Sequence, residues 1–447
     1  MIGESTIASL ASPVGQGALS VIRMSGGDSL AVLRRCARLP EQVEARRVML
    51  TDIRDEQGDS IDQVLAVWFR GPASYTGEDL VEISCHGGML VTRRVLERLY
   101  SCGAIPAEPG EFTRRAFMNG KMDLTQAEAV MDVISAGSDL ALKAAREQLD
   151  GAIGLAATAM MDKLIHVTAH VEAYIDFPDE DISPDTVDSL TGSLKEIREG
   201  MERLLRTADQ GRLFREGVRT AIVGEPNVGK SSLLNALLGY ERAIVSDVPG
   251  TTRDTVEESI QVGGLALRLI DTAGVRESTD AIERAGIERT GRAVSGADLI
   301  LEVVDSSRPA STADIVQGGE GIPRILVLNK CDLPEDPAWS GVPGVRFSCT
   351  SGMGRDDLEQ ALWQAFADRF PSSEGAGLAS INARHQSALK RSAEALARAE
   401  SSLLAGDSPE FTAVELRDAL DSLGELTGRV DTEDILGAIF SSFCIGK

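Results

Sequence analysis

The chain contains little cysteine and no long apolar run. Only six of its 447 residues are cysteines, and they are scattered, without a C-x-x-C pair. That spacing argues against zinc and favours reduced thiols in a cytosolic protein. No apolar run approaches the ~20 residues of a membrane-spanning helix. The first residues lack the basic and apolar regions of a secretory signal. We therefore expect a cytoplasmic protein without a membrane span.

Basic charge is also scarce. The chain carries 45 lysines and arginines against 69 aspartates and glutamates, a net charge of −24. Because nucleic-acid binders usually present a basic surface, this balance argues against a generally basic RNA-binding protein. Any RNA contact would need a local basic face or a partner protein. The hydrophobic share of 43% is typical of a globular protein, and the length is sufficient for two to four domains.

The clearest motif is G-x-x-x-x-G-K-S, from Gly224 to Ser231. A strand-like run, 218–223, precedes it and a helical pattern, 231–238, follows it, which is the context of a phosphate-binding loop. There the backbone N–H groups surround phosphate oxygens, Lys230 reaches the β- and γ-phosphates, and the Ser231 hydroxyl ligates Mg²⁺. The alternative is a glycine-rich turn with a surface lysine. The flanking strand and helix favour the nucleotide site.

Two later motifs concern the γ-phosphate. In G-T-T-R-D, residues 250–254, a threonine hydroxyl can complete the Mg²⁺ shell and order the segment as a switch. D-T-A-G, residues 271–274, follows a strand-like run, so that Asp271 can hold Mg²⁺ through water and the Gly274 N–H can contact the γ-phosphate. Each of these two motifs could alone be an ordinary polar turn, but the order of the motifs along the chain favours a nucleoside triphosphate site.

Two further motifs identify the base. N-K-C-D, residues 329–332, ends the strand-like run 325–328. The Asp332 carboxylate can accept hydrogen bonds from N1–H and the exocyclic amine of guanine, a donor pair that adenine lacks. The segment 348–350, S-C-T, lies where guanine O6 would meet a backbone N–H. The five motifs together predict a translation-factor-type GTPase domain.

The residue after D-x-x-G is Val275. In Ras-like enzymes a glutamine at this position orients the attacking water, and a valine cannot do so. Hydrolysis therefore needs another polar group, and the nearest acid in a helical context is Glu283. Glu283 could equally belong to a solvated helix face, and the residues alone leave both interpretations open.

The remaining pattern predicts several domains. Strand-like runs at 19–24, 64–69 and 80–85 with a helix at 89–100 indicate an α+β region. Long helices follow, with a capping box expected at Thr125 and Glu128 and an apolar stripe from Val187 to Leu204. Strand-like runs at 267–270, 299–304 and 325–328, separated by helical segments, then interrupt the long helices, which suggests an inserted α/β domain with a mostly parallel sheet. The expected domains are 1–120 (N-terminal), 121–213 (helical, first part), 214–371 (GTPase) and 372–447 (helical, second part).

The last residues, I-F-S-S-F-C-I-G-K at 439–447, complete a resemblance that covers essentially the whole chain. With the GTPase motifs inserted in a helical domain, the chain resembles the MnmE (TrmE) family of tRNA modification GTPases, of the TrmE-Era-EngA-like class. The other segments that carry the resemblance are 19–26, Y-T-G-E-D at 75–79, H-G-G at 86–88, N-G-K-M-D-L at 119–124 and I-D-F at 175–177.

For the N-terminal domain, the resemblance implies binding of 5-formyl- or 5,10-methylene-tetrahydrofolate as one-carbon donor and formation of a homodimer. By motif match the folate contacts are Arg23, Glu82, Lys121 and Lys447; as an alternative, these residues form ordinary surface ion pairs. Cys444 has two interpretations, a nucleophile that attacks uridine C6 or a small apolar residue near the folate pocket, and the second is favoured.

For the GTPase domain, the resemblance implies dimerisation across the nucleotides, with K⁺ in place of an arginine finger. The implied Mg²⁺ ligands are Ser231 and Thr252, and Glu283 is the implied catalytic residue that positions water. The implied K⁺ ligands are Asn227, Ser246, Val248 and Thr251. The implied GTP contacts are Asn227, Val228, Gly229, Lys230, Ser231, Ser232, Ser246, Asp247, Val248, Pro249, Gly250, Thr251, Thr252, Asp271, Thr272, Ala273, Gly274, Asn329, Lys330, Asp332, Ser348 and Cys349.

The resemblance also implies a partner, the flavoprotein MnmG (GidA), in a heterotetramer-type complex. The two would together install an aminomethyl or carboxymethylaminomethyl group at C5 of the wobble uridine of certain tRNAs, with folate as the carbon source. Two other functions share parts of the pattern. One is a ribosome-assembly or RNA-chaperone GTPase, which usually carries a basic domain; the other is a folate-dependent one-carbon transferase regulated by GTP.

Overall fold

The chain forms two compact units, Met1–Met131 with Asp421–Lys447, and Asp132–Leu420. The structure is a computed structural model that describes residues 5–176, 184–239, 258–262, 264–270, 294, 296–309, 321–366, 381–429, 433–441 and 443–446. Within these ranges, no helix is both long and apolar enough to cross a membrane.

Helices account for most of the described residues outside two sheets. Several of them begin at a side-chain cap, which satisfies N–H groups that the first turn leaves without a helical partner. Their bounds are α1 Ser29–Cys36, α2 Met89–Ser101, α3 Glu111–Met118, α4 Leu124–Ser135, α5 Asp139–Leu149, α6 Ala152–Asp176, α7 Pro184–Leu205, α8 Ala208–Glu216, α9 Lys230–Leu238, α10 Arg355–Phe366, α11 Ala383–Ala405, α12 Pro409–Thr427 and α13 Glu433–Ser441.

The first unit contains a six-stranded sheet in the order β3-β4-β5-β2-β1-β6. All its neighbouring strands are antiparallel except β1 and β6. Alternation of apolar and polar residues buries one face of this sheet against α1 and α2. Three predicted strands and the predicted helix are confirmed here. The strands are β1 Ile7–Leu10, β2 Leu19–Ser25, β3 Val48–Arg54, β4 Ser60–Phe69, β5 Leu80–His86 and β6 Ile105–Pro106.

The second unit contains a six-stranded sheet in the order β12-β11-β10-β7-β9-β8, parallel except for the edge pair β8–β9. Its central strands are buried apolar runs, as parallel strands covered by helices require. The predicted α/β domain is therefore confirmed. Its strands are β7 Val218–Val223, β8 Glu258–Val262, β9 Leu265–Leu269, β10 Leu299–Asp305, β11 Arg324–Asn329 and β12 Val345–Phe347.

The α/β domain is inserted between helices. The chain leaves α8 through Gly217 and returns to the helices at Ile381. The Ile381 N–H donates to Thr207 Oγ1 at 3.3 Å, and the Ile381 carbonyl accepts from Arg215 at 3.1 Å. The start and the end of the inserted segment thus lie side by side, which allows an insertion without disturbing the helices around it. The predicted insertion is confirmed.

The start of α4 corrects one expectation. The Asp123 carboxylate accepts from the Gln126 N–H at 2.9 Å, and the Asp123 N–H donates to the Gln126 side chain at 3.0 Å. This reciprocal pair is a capping box. The prediction that Thr125 and Glu128 form the box was wrong, because the helix begins at Leu124 and Thr125 is already buried inside its first turn.

Candidate functional site

The phosphate loop, residues 224–231, joins β7 to α9 and has the conformation that its glycines allow. Gly224 and Gly229 adopt φ values of +149° and +101°. A Cβ on Gly224 would collide with the carbonyl of Val303, and one on Gly229 would collide with the side-chain nitrogen of Asn329. Only glycine fits both positions, since any other residue would add a clash to the strained backbone.

Lys230 lies at the first residue of α9 and folds back over this loop. Its Nζ donates to the carbonyls of Gly224 at 2.8 Å and Glu225 at 2.7 Å. Burial lowers the pKa of Lys230, and the charge of Glu225 opposes that shift in part. The ammonium group is therefore held next to the N-terminus of α9, where backbone N–H groups favour an anion.

The guanine loop, residues 329–332, follows β11 and is connected to the phosphate loop by two hydrogen bonds. Asn329 Nδ2 donates to the Val228 carbonyl at 2.8 Å, and Lys330 Nζ donates to the Asn227 carbonyl at 3.3 Å. Asn227 and Lys330 both adopt positive φ, +64° and +63°. The carboxyl ends of β7 and β11 thus bring the phosphate and base motifs together, as the parallel sheet predicts.

The segment after β12 lies beside the guanine loop. Buried Ser348 accepts the N–H groups of Thr350 and Ser351 on its Oγ at 3.3 and 3.2 Å. The Cys349 thiol donates to Asn329 Oδ1 at 3.2 Å. Burial raises the pKa of Cys349 to about 11, so the thiol keeps its proton at neutral pH and remains a donor. Asp332 is exposed, as a carboxylate that meets an incoming base should be.

Asp305, the last residue of β10, is a site residue that the sequence motifs do not predict. Its carboxylate is almost fully buried and contacts Lys330 Nζ at 2.5 Å. Burial alone would raise the pKa of Asp305, but hydrogen bonds from Lys330 and Ser307 outweigh it, and the pKa lies below its ordinary value. The motif pattern ends at Val304, and nothing in the sequence marks the following acid as a partner of the guanine loop.

The structure leaves part of the predicted nucleotide site outside the described residues. The predicted GTP contacts that fall within the described residues are Asn227, Val228, Gly229, Lys230, Ser231, Ser232, Asn329, Lys330, Asp332, Ser348 and Cys349. The predicted residues outside the described ranges are Ser246, Asp247, Val248, Pro249, Gly250, Thr251, Thr252, Asp271, Thr272, Ala273, Gly274 and Glu283, as well as Lys447.

In the first unit, Arg23 and Glu82 face each other on neighbouring strands, β2 and β5. Arg23 donates from Nε at 3.0 Å and from a terminal nitrogen at 2.8 Å, both to Oε1 of Glu82. The guanidinium also lies 5.1 Å from the ring centre of Tyr75 and 5.9 Å from that of Phe112. The two predicted folate contacts are thus brought together as an ion pair beside an aromatic ring.

Lys121 lies on the other side of the Y-T-G-E-D segment. Its Nζ donates to the carbonyl of Pro72 at 3.0 Å, and its alkyl chain passes Gly77, where a Cβ would come within 3.4 Å of it. A buried arginine, Arg115, stabilises the same segment by contacting Glu78 at 3.1 Å. The segment is therefore a rigid connection between the strands that carry Arg23 and Glu82 and the turn that carries Lys121.

The C-terminal segment packs on the same unit. Ile445 forms a β-bridge with Pro109, and a Cβ on Gly446 would collide with the Leu10 carbonyl of β1. Cys444 is half-buried beside them. The structure thus brings residues 444–446 next to the end of β1 and to Pro109, which follows β6.

Comparisons with family models and with curated proteins identify the same family along nearly the whole chain. A family model described as "MnmE helical domain" matches residues 124–444, and one described as "GTP-binding protein TrmE N-terminus" matches residues 6–121. The tRNA modification GTPase MnmE of Akkermansia muciniphila is 63% identical over 446 residues, which cover 99% of each chain. The protein of the same name from Geobacter metallireducens is 45% identical over 454 residues, again 99% of each.

Among solved structures, the G domain of the T. maritima FeoB iron transporter is 25% identical and covers 33% of this chain and 96% of that chain, with a TM-score of 0.24.

Proposed function

The chain belongs to the family of the tRNA modification GTPase MnmE, and on that premise we propose that it couples GTP hydrolysis to modification of the wobble uridine of certain tRNAs. It is a GTPase. The observation that carries the proposal is the connection of the phosphate loop to the guanine loop through Asn329 and Lys330. That arrangement holds the two ends of a guanine nucleotide at one edge of the sheet.

Mg²⁺ and K⁺ belong to the proposed mechanism. Ser231 and Thr252 supply hydroxyl oxygens, the hard ligands that Mg²⁺ prefers. Asn227, Ser246, Val248 and Thr251 supply amide and carbonyl oxygens, which suit K⁺. When bound, the two ions would supply positive charge beside the transferred phosphoryl group, and Glu283 would orient the attacking water, which Val275 cannot do. GTP hydrolysis at equal rates in K⁺ and Na⁺ would exclude a specific role of K⁺ in the reaction.

The proposed folate site lies around Arg23 and Glu82. A carboxylate can accept the donor edge of a pterin, and the cations of Lys121 and Lys447 can meet the glutamate tail. The ring of Tyr75 and the ion pair offer a flat, partly buried surface. We expect Glu82→Gln to weaken binding of 5-formyltetrahydrofolate measured by calorimetry. Glu97→Gln, which alters an exposed ion pair with Arg93, is the matched control and should bind normally.

A homodimer is supported by the open face of the first sheet. One face of β3, β4 and β2 leaves apolar side chains on the surface, with relative exposures between 44% and 66%. A contiguous apolar patch on an antiparallel sheet is typical of a protein interface. Its members are Leu19, Val48, Leu50 and Leu65. Leu65→Asp should shift the sedimentation coefficient toward that of a monomer. Leu155→Asp, at an exposed position of α6, should not.

The proposed partner is the flavoprotein MnmG, which would carry the redox step and most of the tRNA contact. The net charge of −24 favours such a division, since this chain has no excess of basic residues to bind tRNA alone. The proposed compartment is the cytoplasm.

Nucleoside analysis of tRNA tests the function. A strain that lacks the gene should lose the C5 group of the wobble uridine, and the wild-type chain should restore it. Lys230→Ala should fail to restore it, while Lys143→Ala, an exposed lysine of α5, should succeed. An unchanged wobble uridine in the deletion strain would contradict the proposal and favour a ribosome-assembly role.

A further inference from the structure

We propose that Asp305 is a positioning residue for guanine binding, which holds Lys330 against the phosphate loop and thereby pre-orders the loop that presents Asp332. The inference rests on the proposed nucleotide site and adds to it a residue outside the five motifs. In this proposal Asp305 does not contact the nucleotide itself. It acts through Lys330.

The sheet places Asp305 between the two loops. It ends β10, which is paired with β7 on one side and with β11 on the other, and Asp305 itself is in register with Asn329. β7 leads into the phosphate loop and β11 into the guanine loop. A side chain at the end of β10 therefore lies between the strands that lead into the two loops.

Asp305 contacts the guanine loop through Lys330, and its other contacts are with residues that follow it in the chain. Its Oδ2 lies 2.5 Å from Lys330 Nζ, which also donates to the Asn227 carbonyl at 3.3 Å. Its Oδ1 accepts from the N–H and the hydroxyl of Ser307, at 3.1 and 2.6 Å. Arg308 Nε also lies 3.4 Å from Oδ2. Both carboxylate oxygens are thus occupied, and the Asp305 side chain is only 4% exposed. Such a group has one orientation, and it fixes the position of the lysine ammonium.

Lys330 needs this support because of its backbone. It adopts φ of +63°, a conformation that costs a non-glycine residue free energy unless its surroundings hold it there. The turn at Lys330 also sets the direction of Asp332, two residues further on, and the Leu333 N–H closes that turn on the Lys330 carbonyl at 2.9 Å. Without the ion pair, part of the ordering of this loop would have to occur when the nucleotide binds.

This role predicts a specific pattern of binding. Loss of the Asp305 charge should weaken GDP about tenfold, the size expected for one charged contact. It should also reduce the preference for GDP over IDP, because IDP lacks the exocyclic amine that Asp332 accepts. A purely structural role would lower the melting temperature without changing that preference.

The experiment is a double-mutant cycle on the full-length chain, with GDP and IDP dissociation constants measured for the wild type, Asp305→Asn, Lys330→Gln and the double variant. If Asp305 acts through Lys330, the double variant should bind GDP about as weakly as Lys330→Gln alone. Asp298→Asn is the matched control. Asp298 is a buried carboxylate just before the other end of β10, so this variant should lose stability but keep its GDP affinity.

Each outcome decides the inference. Multiplicative effects of the two single variants, or an Asp305→Asn protein with wild-type GDP affinity and wild-type GDP/IDP preference, would overturn it. Failure of the wild-type chain to bind GDP would instead overturn the nucleotide site. The tRNA analysis is unaffected by the result, since a positioning role does not depend on the modified base.

Discussion

The Asn329 side-chain amide donates to the Val228 carbonyl across 2.8 Å and connects the end of β11 to the phosphate loop. The amide is oriented by the Cys349 thiol, which donates to its oxygen at 3.2 Å. Asn329 is almost fully buried, so water does not compete for the hydrogen bonds of its amide. The base side and the phosphate side of the site are therefore parts of one hydrogen-bonded structure.

The first prediction follows from that bond. Asn329→Ala should raise the dissociation constant for GDP at least tenfold, because the Val228 carbonyl and the Cys349 thiol both lose their partner in a buried place. Titration with a fluorescent GDP analogue measures it. Asn382→Ala, which removes the cap of α11, should cost about 1 kcal/mol of stability and leave GDP binding unchanged. Equal GDP affinities of the wild type and Asn329→Ala would refute this role of the amide.

The second prediction concerns Gly229. A Cβ at this position would collide with the Asn329 amide, and φ of +101° strains any other residue. Gly229→Ala should therefore abolish measurable GDP binding in the same titration. Gly341 separates the two causes, since it has φ of +80° with no atom within 4 Å of its Cβ position. Gly341→Ala should lose about 1 kcal/mol of stability through backbone strain and bind GDP normally.

The third prediction concerns Asp298 and the pH dependence of stability. Arg212 donates twice to its carboxylate, at 2.8 and 3.1 Å, and Arg219 donates from its backbone and its side chain. Burial pushes the pKa of Asp298 up, but these donors outweigh it and hold the pKa below its ordinary value. Because the pKa of Asp298 is lower in the folded state, its ionised carboxylate stabilises the fold at neutral pH. This stabilisation is lost as the pH falls below about 4.

Asp298→Asn should therefore lower the free energy of unfolding by about 1–3 kcal/mol at pH 7. The difference from the wild type should shrink as the pH falls from about 4 toward the lowered pKa of the folded state. Denaturant titrations at several pH values measure this. Glu335→Gln alters an exposed pair with Arg346 and should change stability by less than about 1 kcal/mol. A difference that grew toward low pH would show that the sign is wrong.

Particular residues show how far the sequence could be interpreted. The apolar runs predicted β7, β10 and β11, and the motifs after them predicted that Lys230, Asn329 and Ser348 would meet, because parallel strands end at one edge. Hydrophobic periodicity indicates the existence and type of such elements, and their alternation with helices indicates a mostly parallel sheet.

Other features depend on register or on local competition that no periodicity indicates. Arg23 and Glu82 were predicted as separate folate contacts, but their pairing with each other follows from the β2–β5 register across 59 residues of sequence. Asp123 takes the cap that was expected at Thr125, since two polar residues near a helix start offer equivalent patterns. The contact of Asp305 with Lys330 likewise follows only from the pairing of β10 with β11.

The most direct test of the nucleotide site is the base specificity of hydrolysis in Asp332→Asn. The wild-type carboxylate accepts two guanine donors, whereas an amide can donate to the C2 oxygen of xanthine, so the variant should hydrolyse XTP in preference to GTP. The wild type should prefer GTP by several orders of magnitude, the ratio expected when buried polar groups lose their partner. Reversal of the preference by this single substitution is the predicted result. A variant that hydrolyses GTP and XTP in the same ratio as the wild type would contradict the account.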